Sequence, residues 1–369
     1  MPVLAALERQ AEATLSFDGA RVAASGRLTK ERAYLLNVLK RAGARMLVAD
    51  DPEPSHEQSG IRRALGAVDY YEPTRDPREV LVEFRPHLLL DNGRLSLAAI
   101  SHPAQASKIV GGTLHSRNAE MEVRDALGQR QRLAFPLIGL ASCALKQIET
   151  FHGTGQSTVA AIISATRRQL AGAVVVVVGY GANGRGIASY MQAVRARVAV
   201  VEHSAVAGLA AISNGMQLAQ LETVLPAADF VITATGERDV IRDEHVDLLK
   251  DGCVLCNAGR RDGEIRVEDL KARAQTERDY GGGVVEYMFD NRRLTLLADG
   301  RQVNHYCGEG NASDLMDLSL ALHVLCLQTL WQRPNRYRVG LRPVDPGDAE
   351  RVAQIKLRSL GLATPSANR

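Results

Sequence analysis

Residues 173–202 constrain the fold of this chain more than any other segment. They begin with AVVVVV, a short β-branched run that is typical of a strand buried on both faces of a parallel sheet. The glycine-rich loop GYGANG (179–184) follows, then a helical stretch, and then a second strand, RVAVV, that ends at Glu202. This order of strand, G-x-G-x-x-G loop, helix and strand predicts a Rossmann-type, doubly wound α/β domain.

Each glycine of the loop has its own task in such a domain. Gly179 permits the tight turn, Gly181 lets the backbone approach a pyrophosphate, and Gly184 allows the helix to pack closely on the strand. The helix that begins at Ala182 and Asn183 directs N–H groups and a positive dipole end toward the phosphates. A purely structural glycine turn is the alternative that the sequence leaves open.

Glu202 indicates which dinucleotide this domain binds. Its carboxylate is expected to accept hydrogen bonds from the adenosine ribose, which favours NAD over NADP because a 2′-phosphate would be repelled. Two further predicted strands, ADFVITATG and DGCVLCNAG, end in small residues at the same edge of the sheet. We therefore expect Thr235, Gly236 and Asn257 to line the nicotinamide crevice.

Composition excludes several function classes. The 369 residues include 45 Lys and Arg against 42 Asp and Glu, without the basic clusters that nucleic acids or anionic membranes require. No run approaches the roughly 20 apolar residues of a membrane span. The start of the chain carries Glu8 and Glu12 where a signal peptide would be apolar, so a cytoplasmic location is expected.

The cysteines do not indicate a metal site or a disulfide framework. Their number, five, is odd and fits reduced thiols. Cys253 and Cys256 form a C-x-x-C pair, but no second pair follows at zinc-site spacing. Both lie in a predicted strand, where residues three apart point to opposite faces. We expect no bound metal.

Four segments organise the chain. Residues 1–152 alternate helical and strand patterns and predict an α/β substrate domain, and residues 153–310 form the cofactor domain. The apolar helix within 311–345 is expected to return to the first domain. Residues 346–369 predict a C-terminal amphipathic helix and tail.

Several segments resemble the S-adenosylhomocysteine hydrolase family in order and spacing. They are GTGQSTVAAIISAT, VVVGYGANGRG, ARVAVVE, VITATG, VLCNAG and LLADGRQVN. The resemblance extends over roughly residues 25 to 360 and is most specific in the cofactor half. It implies NAD as the cofactor, a small-molecule nucleoside as the substrate, and a homo-oligomer, dimeric or tetrameric.

The chemistry implied by this resemblance is redox-neutral. Tightly held NAD oxidises the 3′-hydroxyl of a nucleoside, and the ketone acidifies the neighbouring C4′ proton. A base removes that proton, the 5′ substituent leaves, water adds, and the hydride is returned. The cofactor is a temporary electron sink in this scheme, and a positioned lysine and carboxylate move the proton.

The resemblance also assigns positions to single residues. Thr29 and Glu31 stand where the family contacts the adenine region, and Asp91 where it places a carboxylate near the sugar. Asn304 stands where the family touches the nicotinamide.

Lys146 and Glu149 lie just upstream of HGTGQS, where the family has a lysine and an aspartate. Their spacing is one residue shorter than the family's, and the carboxylate is one methylene longer. We expect a compensated catalytic pair. The alternative is an exposed i,i+3 ion pair on a loop.

Three histidines of the family are replaced in this chain. Arg27 stands before the adenine-contacting threonine, Arg260 after the CN-small-G strand, and Asn311 at the homocysteine end. Arginine is a permanent cation that grips anionic or hydroxyl-rich groups and does not shuttle protons near neutral pH. Arg27, Arg260 and Asn311 are therefore the expected substrate-binding residues.

The family's sugar-binding glutamate is also replaced. His115 takes its position, and Ser116, Arg117 and Asn118 stand where three threonines help to hold the cofactor. We expect His115 to act as a base or a hydroxyl ligand, and Ser116 and Asn118 to contact NAD. A loop histidine bonded to the backbone is the alternative for His115.

These departures around an intact cofactor loop predict a changed substrate. The favoured hypothesis is oxidation of an adenine nucleoside at C3′ with elimination of a 5′-side group other than homocysteine, such as water, by a lyase or dehydratase. Ordinary S-adenosylhomocysteine hydrolysis is the second hypothesis. A simple NAD-dependent dehydrogenase or a non-catalytic NAD-binding regulator is the third.

Overall fold

The computed structural model describes residues 1–14, 16–49, 58–66, 68–71, 76–129, 132–259 and 262–362. The chain forms two compact units. Unit 1 comprises Met1–Gln147 and Ser313–Arg369, and unit 2 comprises Ile148–Ala312. No helix in these described ranges has the length and apolar content needed to cross a bilayer.

The strands of the described residues form two sheets. In chain order they are β1 (Arg21–Ser25), β2 (Arg45–Ala49), β3 (Asp69–Tyr71), β4 (Leu88–Asp91), β5 (Gly111–Leu114), β6 (Pro136–Gly139), β7 (Val174–Val178), β8 (Arg197–Val201), β9 (Gln217–Leu218), β10 (Phe230–Thr233), β11 (Cys253–Asn257), β12 (Thr276–Asp279), β13 (Val284–Met288), β14 (Arg293–Leu297) and β15 (Gly340–Pro343).

Helices alternate with these strands along most of the chain. They are α1 (Pro2–Thr14), α2 (Lys30–Arg41), α3 (Gln58–Leu65), α4 (Pro77–Glu83), α5 (Arg94–Ser101), α6 (Arg117–Gly128), α7 (Ala144–Ile148), α8 (Gly155–Thr166), α9 (Ala182–Ala193), α10 (Ala205–Ser213), α11 (Leu221–Val224), α12 (Asp243–Val246), α13 (Val267–Arg273), α14 (Val303–Tyr306), α15 (Ser313–Gln332) and α16 (Pro346–Ser359). A π-helix, Glu149–Thr154, precedes α8, and 3₁₀ turns occupy Leu225–Ala227 and Ala298–Gly300.

Unit 2 contains a doubly wound sheet. Its strands lie in the order β12-β13-β14-β11-β10-β7-β8-β9. The six strands from β14 to β9 are parallel, and the antiparallel strands β12 and β13 extend one edge. When these six parallel strands are numbered 1 to 6 along the chain, starting with β7, their order across the sheet is 3-2-1-4-5-6. This is the order of dinucleotide-binding domains. The predicted Rossmann-type fold is confirmed, and its topological switch point lies between β7 and β10.

Unit 1 repeats this order in a second parallel sheet. Its strands lie in the order β15-β6-β5-β4-β1-β2-β3, so that β1 and β4 flank a second switch point. Helix α15 packs against α1, α2, β4 and β5 in the same unit. The predicted second α/β domain is confirmed as a fold class.

The apolar strands are explained by burial on both faces. In β7, Val175 and Val177 join one buried apolar cluster, whereas Val176 and Val178 join another. A strand covered by helices on both sides has no face for polar residues. Cys256 and Cys253 of β11 are divided between the same two clusters, which places the two thiols on opposite faces of the sheet.

Candidate functional site

The glycine-rich loop lies at the carboxyl end of β7. Gly179 has φ +95°, and a Cβ there would lie 2.9 Å from the Ala234 carbonyl oxygen. At Gly184 a Cβ would lie only 1.9 Å from the Gly179 carbonyl oxygen, so α9 can pack on β7 only without a side chain. At Gly181 a Cβ would meet no atom within 4 Å. The loop thus requires glycine at positions 179 and 184 and leaves open space beside position 181.

Helix α9 starts in this loop, with Gly181 as its N-cap and Ala182 and Asn183 in its first turn. Its N–H groups and positive dipole end therefore lie beside the open space. Glu202, just after β8, braces the loop: its carboxylate accepts hydrogen bonds from the backbone N–H groups of Tyr180 and Ser204, both at 2.7 Å.

A second turn follows β10, on the other side of the switch point. Glu264, which is fully buried, accepts hydrogen bonds from the Thr235 N–H at 2.9 Å, the Thr235 hydroxyl at 2.8 Å and the Gly236 N–H at 2.8 Å. Burial raises the pKa of Glu264, although these N–H donors oppose the shift. Glu264 therefore holds the Thr235–Gly236 turn in place.

Two asparagines follow in the chain: Asn257 is the last residue of β11, and Asn304 lies in the short helix α14. The Asn257 side chain accepts from the Gly259 N–H at 2.7 Å and donates to the Gly300 carbonyl at 3.1 Å, which ties β11 to the next turn. Asn304 Nδ2 donates to Ser157 Oγ at 3.1 Å. The Ser157 hydroxyl in turn donates to Asn311 Oδ1 at 3.2 Å. Unit 2 thus brings Asn304 and Asn311 together.

The residues of unit 2 fit NAD. Asn304 is buried, and its Oδ1 has no hydrogen-bond partner among the described residues, so it can accept from an amide such as the nicotinamide carboxamide. The open space beside Gly181 and the N-terminus of α9 suit a pyrophosphate. Glu202 at the end of β8 suits the ribose hydroxyls.

The switch point of unit 1 holds a buried polar cluster. Asp91, at the end of β4, accepts from the Ser25 hydroxyl and from the N–H groups of Leu95 at 3.2 Å and Ser96 at 2.7 Å. The Arg32 guanidinium donates to the carbonyls at the ends of the same two strands, those of Ser25 and Leu90. Asp91 thus joins β1 to the start of α5.

The predicted adenine-region residues lie around the start of α2. Thr29 is the N-cap, and its hydroxyl accepts from the Arg32 N–H at 3.3 Å. Glu31, in the first turn, accepts from the Ser313 hydroxyl. Arg27, on the same approach, is half-buried. Arg260 lies outside the described residues.

Four side chains of unit 1 form one line of hydrogen bonds. Lys146 Nζ lies 2.9 Å from His115 Nε2, and His115 Nδ1 lies 3.1 Å from His323 Nε2. His323 Nδ1 lies 2.7 Å from Thr113 Oγ1. Both ring nitrogens of His115 face side chains, so the alternative of a loop histidine bonded to the backbone is wrong.

The alternative of an exposed loop ion pair is also wrong. Lys146 belongs to α7 and is 8% exposed, and Glu149 belongs to the π-helix and is fully buried. Single π-helical turns inside helices are frequent at functional sites. Of the predicted cofactor contacts in unit 1, Ser116 caps α6 by accepting from the Ala119 N–H at 3.3 Å, and Asn118 is half-buried in its first turn.

Sequence reasoning missed six residues of these clusters: Ser25, Arg32, Thr113, Ser157, Glu264 and His323. Only His323 carried a usable signal, because it is the one strongly polar residue in the apolar run LSLALHVLCL of α15. A histidine there is buried and needs partners for its ring nitrogens.

The fold and the site together define an NAD-binding α/β protein with a polar cluster in a second α/β unit. Comparison with known proteins identifies the family. Residues 150–310 match the family model described as "S-adenosyl-L-homocysteine hydrolase, NAD binding domain".

Similarity to curated relatives extends over nearly the whole chain. The adenosylhomocysteinase of Sulfolobus acidocaldarius is 34% identical over 98% of this chain and 89% of its own length. That of Sulfurisphaera tokodaii is 32% identical with the same coverage. The S-inosyl-L-homocysteine hydrolase of Methanopyrus kandleri is 32% identical over 98% of this chain and 88% of its own length. The chain belongs to the S-adenosylhomocysteine hydrolase family, and its cofactor is NAD.

Proposed function

We propose that this protein is a redox-neutral, NAD-dependent enzyme that oxidises an adenine nucleoside at C3′ and eliminates a 5′-side group other than homocysteine, such as water. The observation that carries the proposal is the contact of 2.9 Å between Lys146 Nζ and His115 Nε2. It supplies a buried amine, held by a neighbouring imidazole, for moving a proton.

Bound NAD supplies the acceptor for the C3′ hydride and later returns it, so that no net oxidation occurs. The groups proposed to hold it are the loop of Gly179, Gly181 and Gly184, the carboxylate of Glu202, and the amide of Asn304. The proposed cofactor contacts of unit 2 are completed by Ala182, Asn183, Thr235, Gly236 and Asn257. Ser116 and Asn118 stay predictions from the family resemblance.

The proton steps are assigned to Lys146 and three further residues. A C3′ ketone acidifies the C4′–H bond, and Lys146 as a free amine accepts the C4′ proton. The electron pair left at C4′ forms the C4′–C5′ double bond as the C5′–O bond breaks, and the departing hydroxide takes the proton from the Lys146 ammonium to become water. The proton that leaves the 3′-hydroxyl on oxidation is replaced on the same oxygen when the hydride is returned to C3′. Asp91, Glu149 and His115 are the further residues proposed to act in these steps.

Asn311 favours a leaving group other than homocysteine. The family's histidine at that end of the substrate is replaced here by a carboxamide, which cannot take up or deliver a proton near neutral pH. The Ser157 hydroxyl donates to its Oδ1 at 3.2 Å. The other proposed substrate contacts are Thr29 and Glu31, in the region of the adenine, and Arg27 and Arg260, at positions where the family has histidines.

Ordinary hydrolysis of S-adenosylhomocysteine is the second candidate. The 34% identity to an adenosylhomocysteinase over 98% of the chain favours it. The two functions differ in their products, since hydrolysis releases homocysteine and dehydration does not.

The deciding experiment presents the purified protein with S-adenosylhomocysteine, S-inosylhomocysteine, adenosine and a panel of adenosine analogues altered in the sugar. Absorbance of bound NADH and product mass are followed together, with Lys146→Met as the matched control. Transient NADH with a product 18 mass units lighter supports the proposal. Homocysteine release selects the second candidate, and net NADH accumulation selects a simple dehydrogenase.

We also propose that the protein works in the cytoplasm as a homo-oligomer of two or four copies. The odd number of cysteines supports the first point, because an oxidising compartment favours paired cysteines. Membership of a family of homo-oligomers supports the second. Analytical ultracentrifugation tests the assembly, and a monomer at micromolar concentration contradicts it.

A further inference from the structure

His323 occupies an unusual position for a titratable residue. It lies in the middle of α15, is 1% exposed, and stacks on His115 with ring centroids 5.4 Å apart and an interplanar angle of 23°. Helix α15 can come this close to β5 because Gly111 has no side chain: a Cβ there would lie 2.6 Å from Leu330. The two rings are therefore fixed by the packing of a helix on a sheet.

His323 is neutral in this environment. Burial lowers the pKa of His323 well below its ordinary value, and the nearby cations Arg32 of α2 and Lys146 of α7 lower it further. A neutral imidazole carries one N–H group and one bare nitrogen. The proton of His323 is therefore on either Nδ1 or Nε2.

The position of the His323 proton determines which ring nitrogen of His115 carries a proton and which one faces Lys146 without a proton. If His323 Nδ1–H donates to Thr113 Oγ1, His323 Nε2 is bare and accepts from His115 Nδ1–H. His115 Nε2 is then bare and accepts an N–H of Lys146. The Thr113 hydroxyl remains able to donate to the Leu89 carbonyl, 3.5 Å away.

The opposite arrangement fails whenever Lys146 is charged. It would place a proton on His115 Nε2, pointing at Lys146 Nζ, and an ammonium group has no lone pair to accept it. Only the first arrangement suits both the ammonium and the free amine of Lys146.

We propose that His323 is a positioning residue for Lys146. By accepting the Nδ1 proton of His115, it leaves His115 Nε2 bare, and this nitrogen holds the Lys146 amine at one point while the amine gains and loses a proton. The proposal rests on the proposed function of Lys146, but the tautomers of the two histidines can be measured without substrate.

Three variants of α15 separate positioning from simple packing. His323→Leu removes the acceptor of the His115 proton while keeping an apolar side chain of similar size. His323→Gln restores an acceptor toward His115 and a donor toward Thr113. Cys326→Ala is the matched control, because Cys326 is fully buried on the same helix and outside the hydrogen-bonded line.

The three variants are expected to differ in kcat. His323→Leu lowers kcat for elimination about 30- to 100-fold, since displacing a reacting group by about 1 Å costs up to 10²-fold. Its KM changes less than threefold and its NAD content stays that of the wild type. His323→Gln recovers most of kcat, and Cys326→Ala stays within about twofold of the wild type. A His323→Leu enzyme with wild-type kcat would overturn the proposal.

Tautomers are measured by ¹⁵N solid-state NMR of wild-type protein labelled at histidine, with His323→Gln and Cys326→Ala used for assignment. The proposal expects the Nδ1–H form for His323 and for His115. An Nε2–H form at His323 would refute it even if His323→Leu failed to fold. Thr113→Val, which keeps both rings, is expected to mix the two forms and lower kcat.

The outcomes separate the two proposals. Nδ1–H tautomers in a protein that turns over no nucleoside would leave the hydrogen-bonded line intact and refute the proposed function. Turnover that is unaffected by His323→Leu would refute the positioning role and leave the proposed function standing.

Discussion

Gly181 and Gly184 of the glycine-rich loop offer a paired test, since substitutions at the two positions are expected to fail in opposite ways. At Gly184 a new Cβ would lie 1.9 Å from the Gly179 carbonyl oxygen, about 1.5 Å short of an ordinary contact of 3.4 Å. The carbonyl is part of the turn and cannot rotate away. At Gly181 the new Cβ meets no atom within 4 Å, and its φ of −69° is open to any residue.

The sizes of the two effects follow from this geometry. Overpacking of this kind costs up to about 3 kcal/mol, and the better helix propensity of alanine returns about 1 kcal/mol. Gly184→Ala is therefore expected to lose about 2 kcal/mol, or about 4 to 8 °C in Tm for a unit of this size. Gly181→Ala is expected to stay within about 0.5 kcal/mol of the wild type.

For NAD binding, the larger effect is expected from Gly181→Ala rather than from Gly184→Ala. The methyl group of Gly181→Ala occupies the space proposed for the pyrophosphate, and about 2 kcal/mol of clash corresponds to a roughly 30-fold rise in Kd for NAD. Calorimetric titration of protein freed of cofactor measures Kd, and far-UV circular dichroism of the same samples measures Tm. A Gly181→Ala protein with wild-type Kd, or a Gly184→Ala protein with wild-type Tm, would show that this account of the loop is incorrect.

Three further predictions concern charged groups. Lys146→Met is expected to lower the rate of elimination at least about 10²-fold with unchanged NAD binding, as loss of a general base does; an unchanged product rate would remove it from the mechanism. Glu202→Ala is expected to raise Kd for NAD about 10- to 100-fold, because hydrogen bonds to a carboxylate contribute about 1.5 to 3 kcal/mol. The rise in Kd for NADP is expected to be smaller. Titration with both cofactors checks this, and equal changes in the two Kd values would contradict it. Asp229 is partly buried, which opposes ionisation, but Lys250 at 2.7 Å and the Val174 N–H hold its pKa below the usual 3.8. Its stabilising contribution is therefore present above pH 3.8 and is lost as the pH falls through the lowered pKa. Asp229→Asn is expected to lower the free energy of unfolding by about 1 kcal/mol at pH 7 and to leave it unchanged in acid. A difference in urea unfolding that persists in acid would refute the assignment.

The cofactor half could be predicted from sequence because its signals are local. Strand, loop and helix follow one another within 173–202, and Gly179 and Gly184 are required by atoms close to them in the chain or at the end of the neighbouring strand. Hydrophobic patterns and turn chemistry act over such distances.

The polar line of unit 1 could not be predicted in this way. His115 and His323 are 208 residues apart in sequence, and only the packing of α15 on β5 brings them together. A pattern marks His323 as a buried residue in an apolar helix, but it does not specify the ring it faces. The resemblance identified His115 and Lys146 separately, without indicating their contact.

Asp91 shows a different limit. The family resemblance assigns this carboxylate a position near the sugar. The structure adds that both of its oxygens accept hydrogen bonds from the start of α5 and that Ser25 also donates to it. Which donors a carboxylate engages depends on tertiary geometry, and no spacing in the sequence encodes it.

Exchange of the C4′ proton tests whether the protein oxidises its substrate at C3′ and then removes the C4′ proton. The wild-type protein is incubated with the turned-over nucleoside in D₂O, and recovered substrate and product are analysed by mass and by proton NMR at C4′. Deuterium is expected at C4′ of recovered substrate without net NADH, and the exchange is expected to be lost in Lys146→Met. A product that keeps the substrate's original C4′ hydrogen after turnover in D₂O would contradict it, because a ketone at C3′ acts only by making that proton labile.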